Sequence, residues 1–229
     1  MSGTEITAVD ELEQIYGSYP AESAAARIVL PSLHAHHRGF IALSPFLVIA
    51  SADAAGNVDV SPKGDLPGFV LSPDEHTLVI PDRPGNNKIL TLRNIVENPS
   101  VSLIFFVPGR VDTVRVNGSA RITSDPAVLE RFEVKGRRPR SALIVSVRES
   151  WHHCGKALIR SRLWDEEAKV ASSVLPSLGR MTADQTTFDS AAYDEREQCW
   201  IDAREVDSHA ETDPATEAAL QTLWGDPKR

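Results

Sequence analysis

The sequence has few cysteines and no long apolar run, and each absence narrows its class. Cys154 and Cys199 are too few and too far apart for a disulfide framework. No stretch approaches the roughly 18 consecutive apolar residues that a membrane-spanning helix needs. The N-terminus, M-S-G-T-E-I-T-A-V-D-E, is acidic and lacks the basic and apolar regions of a signal peptide. A cytoplasmic protein with free thiols and no membrane partner is therefore expected. Basic excess is missing as well, since the formal charge is −8. Residues 182–229 hold twelve acids and four bases, whereas residues 1–181 hold twenty of each. A neutral body with an acidic tail is not the footprint of a nucleic-acid binder, so no nucleic-acid partner is expected. Internal repeats and low-complexity tracts are also missing.

What is present fits a soluble globular chain, with 41% hydrophobic and 24% charged residues. Residues 5–17 place Ile6, Val9, Leu12 and Ile15 at helical spacing before Gly17. A second helical piece is expected from Pro20 and Ala21 to Arg27, and a third over 32–43. That third helix carries His34, His36 and His37. No carboxylate or thiol lies at ligand spacing from them, so no metal site is expected. From Pro45 the period changes. Strands are expected over 46–50 and 58–62, joined by a turn at 53–57, and again over 77–80, 101–107, 111–122 and 142–147. Gly118 interrupts the long strand as a bulge or a close backbone approach. Ser124 and Asp125 cap a helix over 126–132. Six strands, mostly hairpin-linked with helices between them, argue for an antiparallel barrel over a parallel α/β sheet.

One stretch organises the rest. Residues 79–94 read V-I-P-D-R-P-G-N-N-K-I-L-T-L-R-N. A strand breaks at Pro81, a polar loop follows, and a helix is expected to open at Asn86, Asn87 and Lys88, with either asparagine as its cap. A helix N-terminus offers unpaired N–H donors and partial positive charge, and Arg83 and Lys88 bracket the same turn. The pattern suits a phosphate, although a solvated strand-to-helix loop has the same composition. The run from Lys135 to Arg140 is basic as well. Such runs are most often solvated loops, with a phosphate or an acidic partner as the other reading.

A second unusual stretch is E-S-W-H-H-C-G-K-A-L-I-R-S-R-L-W, residues 149–164. Consecutive His152, His153 and Cys154 diverge and cannot share one metal. Lys156, Arg160 and Arg162 beside Trp151 and Trp164 suit an anionic, planar ligand or a helix with a solvated basic face. Residues 165–190 read as a linker with a short helical start. Helices are expected over 191–206 and 214–224, with Trp200 and Trp224 available for packing.

These motifs, taken in order, resemble a known family. A strand ending S-P-K-G-D precedes strand–P-D-R-P-G-N-N-K–helix, then N-P-x-V, then the strand D-T-V-R-V-N-G-S-A. Together they are similar to the pyridoxamine 5′-phosphate oxidase-like, FMN-binding split β-barrel proteins. The run H-C-x-K-A-L-x-R-S-x-L-W resembles a subgroup of small flavoproteins among them. The resemblance covers roughly residues 45–164, leaving 1–44 as an N-terminal helical extension and 165–229 as an acidic, mostly helical C-terminal one. It implies a mainly β fold with peripheral helices, built on a six-stranded antiparallel Greek-key barrel.

It also implies a homodimer with FMN in clefts at the subunit interface. Asn86, Asn87 and Lys88 match the positions that bind the FMN phosphate, with Arg83 assisting. Pro81 and Asp82 match positions that meet the flavin ring, as do Ser61 and Lys63. Thr113 matches a polar ring contact, and Lys156, Arg160 and Trp164 would approach from the partner chain. The physics is consistent, because a phosphate dianion needs cations and a helix N-terminus. Cations near the ring stabilise its reduced form. Asn86 and Asn87 replace the serine and arginine usual in the vitamin B6 enzyme, and its substrate-binding arginine–histidine pair has no match. Vitamin B6 is therefore not the expected substrate. The implied activity is two-electron oxidoreduction with a donor such as NAD(P)H. A flavin-storing or sensing protein, or a deazaflavin or haem in the same cleft, are the alternatives. No residue presents itself as a general acid or base.

Overall fold

In the computed structural model, the described residues are 5–18, 20, 23–85, 87–134, 136–187, 191 and 193–195. Helices α1 (Val9–Tyr16), α2 (Ala24–Arg27) and α3 (Ala35–Leu43) precede the first strand. The strands are β1 (Phe46–Ala52), β2 (Val58–Gly64), β3 (Thr77–Pro81), β4 (Ser100–Phe106), β5 (Thr113–Thr123) and β6 (Ala142–His153). Helix α4 (Leu90–Glu97) links β3 to β4, and α5 (Pro126–Leu129) with a 3-10 turn (Glu130–Phe132) links β5 to β6. Helix α6 (Lys156–Ser161) follows β6, and α7 (Leu178–Gln185) lies further on.

All six strands form one antiparallel sheet in the order β2-β1-β4-β5-β6-β3. Alternation along them explains the core. β1 buries Leu47 and Ile49, β4 buries Leu103 and Phe105, and β5 buries Val114 and Val116. The same cluster takes Phe40 and Ile41 from α3 and Ile95 from α4. The sheet is curled around this main cluster, with helices packed at its periphery, and a second, smaller cluster gathers Leu71, Val79, Leu129, Phe132 and Ala142. This is the split β-barrel that the motif order implied.

β6 is the strand whose sequence misled. Expected to end at Val147, it continues to His153. The reason is a register shift opposite Asn117 and Gly118, where Asn117 pairs with Glu149 but Gly118 pairs with Val147. Arg148 is the extra residue. Before it Leu143, Val145 and Val147 face inward, and after it Ser150 and His152 do, opposite Val116 and Val114. A broken alternation reads as a strand end. Of the two expectations for Gly118, the close backbone approach holds, because a Cβ there would sit 2.2 Å from the Ser146 carbonyl oxygen, whereas the bulged residue is Arg148 on the facing strand.

Other boundaries also moved. The second helix begins at Ala24, and α3 begins at Ala35 with His34 as its cap, its ring accepting from the His36 N–H at 3.2 Å. Residues 165–190 are not a plain linker, since they contain α7, capped by the Ser177 hydroxyl. The expected helices over 191–206 and 214–224 lie almost wholly outside the described residues. Among the described residues no helix is long and apolar enough to cross a membrane. No cluster of potential ligands could hold a metal ion among them.

The inward turn of Ser150 fastens the N-terminal segment. Its backbone pairs with Leu30 in both directions at 2.9 Å, and its hydroxyl donates to the Ser32 carbonyl at 2.6 Å. That leaves the hydroxyl as acceptor for His37 Nδ1 at 2.8 Å, so His37 carries a proton on Nδ1. Burial, then the like charges of His152, His34 and His36, lower the His37 pKa from its ordinary 6.5 to about 4.

Two outcomes follow for stability. Gly118→Ala forces a methyl into a backbone carbonyl and is expected to cost about 2 kcal/mol or more in urea unfolding. For His37, the folded chain binds the proton less readily than the unfolded one. Its contribution is present in full above about pH 6.5 and is lost as pH falls toward about 4. Unfolding at pH 7.5 and pH 4.5 should show a loss of up to about 3 kcal/mol that His37→Gln reduces.

Candidate functional site

The outer strands of the sheet, β2 and β3, share no ladder. Their C-terminal ends lie at diagonally opposite corners, because the β2 end is in register with the start of β5 across β1 and β4, while Pro81 pairs with Ala142 and so with the β5 end at Thr123. Curling brings these corners together. Lys63 on β2 meets Asp82 after β3 at 3.1 Å, with side chains 20% and 25% exposed. Asp65, just past β2, meets Arg83 at 2.7 Å, with side chains 0% and 14% exposed. Each edge contributes one cation and one anion, so the seam is held by two complementary ion pairs.

Arg83 does more than close the seam. Its Nη1 donates to the Phe132 carbonyl at 2.8 Å, and the neighbouring Asp82 N–H donates to the Ser141 carbonyl at 2.9 Å. The loop after β3 is thus tied to β2 on one side and to the segment before β6 on the other. Asp65 is the buried acid at the centre of this arrangement, also accepting from the Leu66 N–H at 2.7 Å. Sequence reading quoted Asp65 within S-P-K-G-D but gave it no role. The available signal was the K-x-D pattern on one edge facing D-R on the other.

Beyond Arg83 the loop exposes Asn87 and Lys88, while Asn86 lies outside the described residues. The expected asparagine cap is overturned. α4 starts at Leu90, and its cap position is Ile89, which has φ 43° and offers no side-chain acceptor. Asn87 also has positive φ, at 56°. Asparagine tolerates that conformation, whereas a β-branched residue is strained in it, and such strain concentrates at ligand clamps and switches. The chain makes a left-handed approach to α4 instead of the extended one that a side-chain cap requires. The consequence is that, among the described residues, no side chain at the cap position accepts from the first-turn N–H groups of α4.

The remaining expected residues fall into two places. Ser61 is half-buried on β2, two residues before Lys63, and Pro81 closes β3. Pro81 thus directly precedes the seam residues Asp82 and Arg83, and Ser61 is on the same face of β2 as Lys63. Thr113 lies elsewhere, at the start of β5 opposite His153, about three strand spacings or ~14 Å along the sheet from β2. It is 1% exposed, and its hydroxyl is the buried side-chain polar atom without a partner among the described residues. Lys156 and Arg160 are exposed on α6. Trp164 Nε1 donates to the Arg110 carbonyl at 2.7 Å, and Gly155 presses on Val111, where a Cβ would come within 2.4 Å of the carbonyl oxygen. The α6 segment is therefore anchored to the corner between β4 and β5, beside Thr113.

A curled antiparallel sheet whose diagonal corners meet at a charged loop defines the class, a split barrel. The sequence pattern of the family described as pyridoxamine 5′-phosphate oxidase matches residues 33–154, more than half of the chain, and the chain belongs to that family. No curated protein matches the sequence. Among solved structures it is similar to HupZ from Group A Streptococcus, with 18% identity over 52% of this chain and 92% of that one and a TM-score of 0.43. It is similar also to a putative pyridoxamine 5′-phosphate oxidase from Lactobacillus delbrueckii, with 21% identity over 53% and 95% and a TM-score of 0.41. A third similarity is to an F420 reductase, with 18% identity over 51% and 94% and a TM-score of 0.36.

The seam generates one expected outcome. Asp65→Ala leaves the nearly buried Arg83 charge without its carboxylate and should cost about 3 kcal/mol. Adding Arg83→Met should restore much of that loss, as read from a double-mutant cycle in urea. Additive losses would show that the pair does not act as a unit.

Proposed function

We propose that the chain is an FMN-dependent oxidoreductase that works as a homodimer, taking two electrons from a donor such as NAD(P)H and passing them to a substrate other than vitamin B6. The observation that carries this reading is the start of α4. An uncapped helix N-terminus beside Lys88 and Arg83 is a seat for a phosphate dianion, in a family named for a phosphate-bearing chemistry. Asn87 and Lys88 bind that phosphate, with Asn86 beside them in the sequence. Arg83, fixed by Asp65 and the Phe132 carbonyl, shapes the loop and adds its field.

The ring-contacting group is Ser61, Lys63, Pro81 and Asp82 at the seam, where Lys63 and Asp82 orient one another. The unpartnered Thr113 hydroxyl fits a ligand with polar ring atoms, and ordering such a ligand would satisfy it. FMN, once bound, supplies the acceptance and release of an electron pair. The protein's part is to hold the phosphate, exclude water and place charge beside the ring.

Thr113, Lys156, Arg160 and Trp164 are separated from the seam within one chain. A second copy reconciles the two groups by bringing its α6 segment to the first copy's seam. The outer face of the sheet provides the surface for it. Val58 and Val60 on β2 are 74% and 63% exposed opposite Ala52 and Ala50, and toward the other end of β1 the exposed Phe46 has its ring 6.0 Å from that of Phe106. An apolar sheet face of this kind is a protein-contact surface. Residues 45–164 then form the cofactor-binding unit, flanked by two extensions in a cytoplasmic enzyme.

The test is an absorbance spectrum of the purified protein, with mass determination of whatever heat releases. Flavin bands with FMN released are expected, at one FMN per chain. Lys88→Ala should weaken FMN binding about tenfold or more, because it removes a charge-assisted contact to phosphate. Unchanged flavin content in that variant would take Lys88 out of the site. A protein that neither carries nor accepts FMN would refute the reading as a whole.

A further inference from the structure

The N-terminal segment is held on β6 beside a set of histidines that the site described above does not use. Past the pairing of Thr77 with Ser146, the far edge of β6 is bridged among the described residues by Leu30. Leu30 thus covers a stretch of strand that would otherwise present an open edge. The fastening runs through Ser150, whose hydroxyl joins the Ser32 carbonyl to His37 Nδ1. His37 is buried, and its ring lies 4.6 Å from that of His152 on β6. The exposed His34 ring lies 6.1 Å from His37 and 4.8 Å from His36. Four imidazoles therefore lead from the surface to the hydrogen bond that holds the segment down.

The charged groups around them offer little compensation for a proton. Among the described residues, the carboxylate that acts on the cluster is Asp112, toward His152. Both of its oxygens are already taken by Arg110, at 3.0 and 3.1 Å. Arg38, on the same helix as His37, is turned to the Ser72 hydroxyl at 3.1 Å and carbonyl at 2.8 Å. Glu75, whose carbonyl accepts from the Leu33 N–H, has its carboxylate beside His76 at 3.3 Å. Arg115 is stacked on Trp151 and Glu149 accepts from Asn117, both on the other face of the sheet, and Arg148 is exposed at the bulge.

We propose that this cluster is an acid-operated latch: as its imidazoles take up protons, residues 26–37 are released from β6 while the barrel stays folded. The latch does not depend on any cofactor. Histidine is the side chain whose charge ordinarily changes between pH 5 and 8. A proton on His37 or His152 sets a cation against a second imidazole 4.6 Å away in a buried place, and protons on His34 and His36 add like charge. In the released segment the rings reach water and take their protons without that cost. Acid therefore favours the open form, and more strongly as pH falls through the histidine range. With His37 at about 4 when latched and 6.5 when free, its protonation alone favours opening by roughly thirtyfold between pH 7.5 and pH 5.0.

Hydrogen exchange of the full chain, read by mass spectrometry at pH 7.5 and pH 5.0 and corrected for the intrinsic effect of pH, decides the matter. Exchange in residues 26–37 should rise at least about tenfold at pH 5.0, while β4 keeps its protection. His37→Gln keeps a donor for Ser150 without a titratable ring, and should hold the rise below about threefold. Because a buried substitution can unfold the chain, the pair His36→Gln and His152→Gln is measured beside it and should reduce the rise at least about twofold. Continued protection of 26–37 at pH 5.0 would overturn the latch. So would a loss of protection shared equally by β4, which is global acid unfolding, or a rise of unchanged size in the folded variants.

Discussion

The seam between β2 and β3 is the constraint on which the rest depends. A six-stranded sheet that stops short of closing has two open edges, and here those edges are bridged by charge instead of a backbone ladder. The Asp65–Arg83 pair is almost wholly removed from water. It therefore stabilises through geometry and mutual satisfaction more than through raw attraction, because desolvation offsets much of the Coulomb gain. The pair also fixes where the loop after β3 begins. The same side chain that closes the barrel thereby sets the position of the α4 N-terminus, of Asn87 and of Lys88.

This arrangement separates two roles that sequence alone merges. Arg83 and Lys88 bracket one turn in the chain, and both read as cations for an anion. In the folded protein Arg83 is bound by a carboxylate and a carbonyl, whereas Lys88 lies on the exposed part of the loop. The first is a strut that shapes the loop, and the second is exposed on it. The strained φ of Ile89 fits a loop whose shape is imposed by its surroundings.

Much of the fold was legible because β1 and β4 are short apolar runs, because β5 alternates, and because Asp53 to Asn57 is an unambiguous turn. What was not legible has local causes. The bulge at Arg148 reverses the parity of β6, so Ser150 and His152 look misplaced for a strand that in fact continues. Asn86 and Asn87 look like caps because asparagine is a good one, but asparagine is equally suited to positive φ, and Asn87 uses that property. Asp65 drew no attention because a partner eighteen residues away in sequence becomes adjacent only when the sheet curls. The binding of the N-terminal segment by Ser150 was likewise invisible, since serine carries no hydrophobic signal.

Pro62 gives the open edge a further property. It sits within β2, paired with Val48, and it deprives the strand of a backbone donor. Asp59 and Lys63 flank it on the same strand. An edge so interrupted and charged is a poor template for another strand, which guards against open-ended stacking of chains into aggregates. Edge-to-edge addition of one chain to another is thereby disfavoured at this strand.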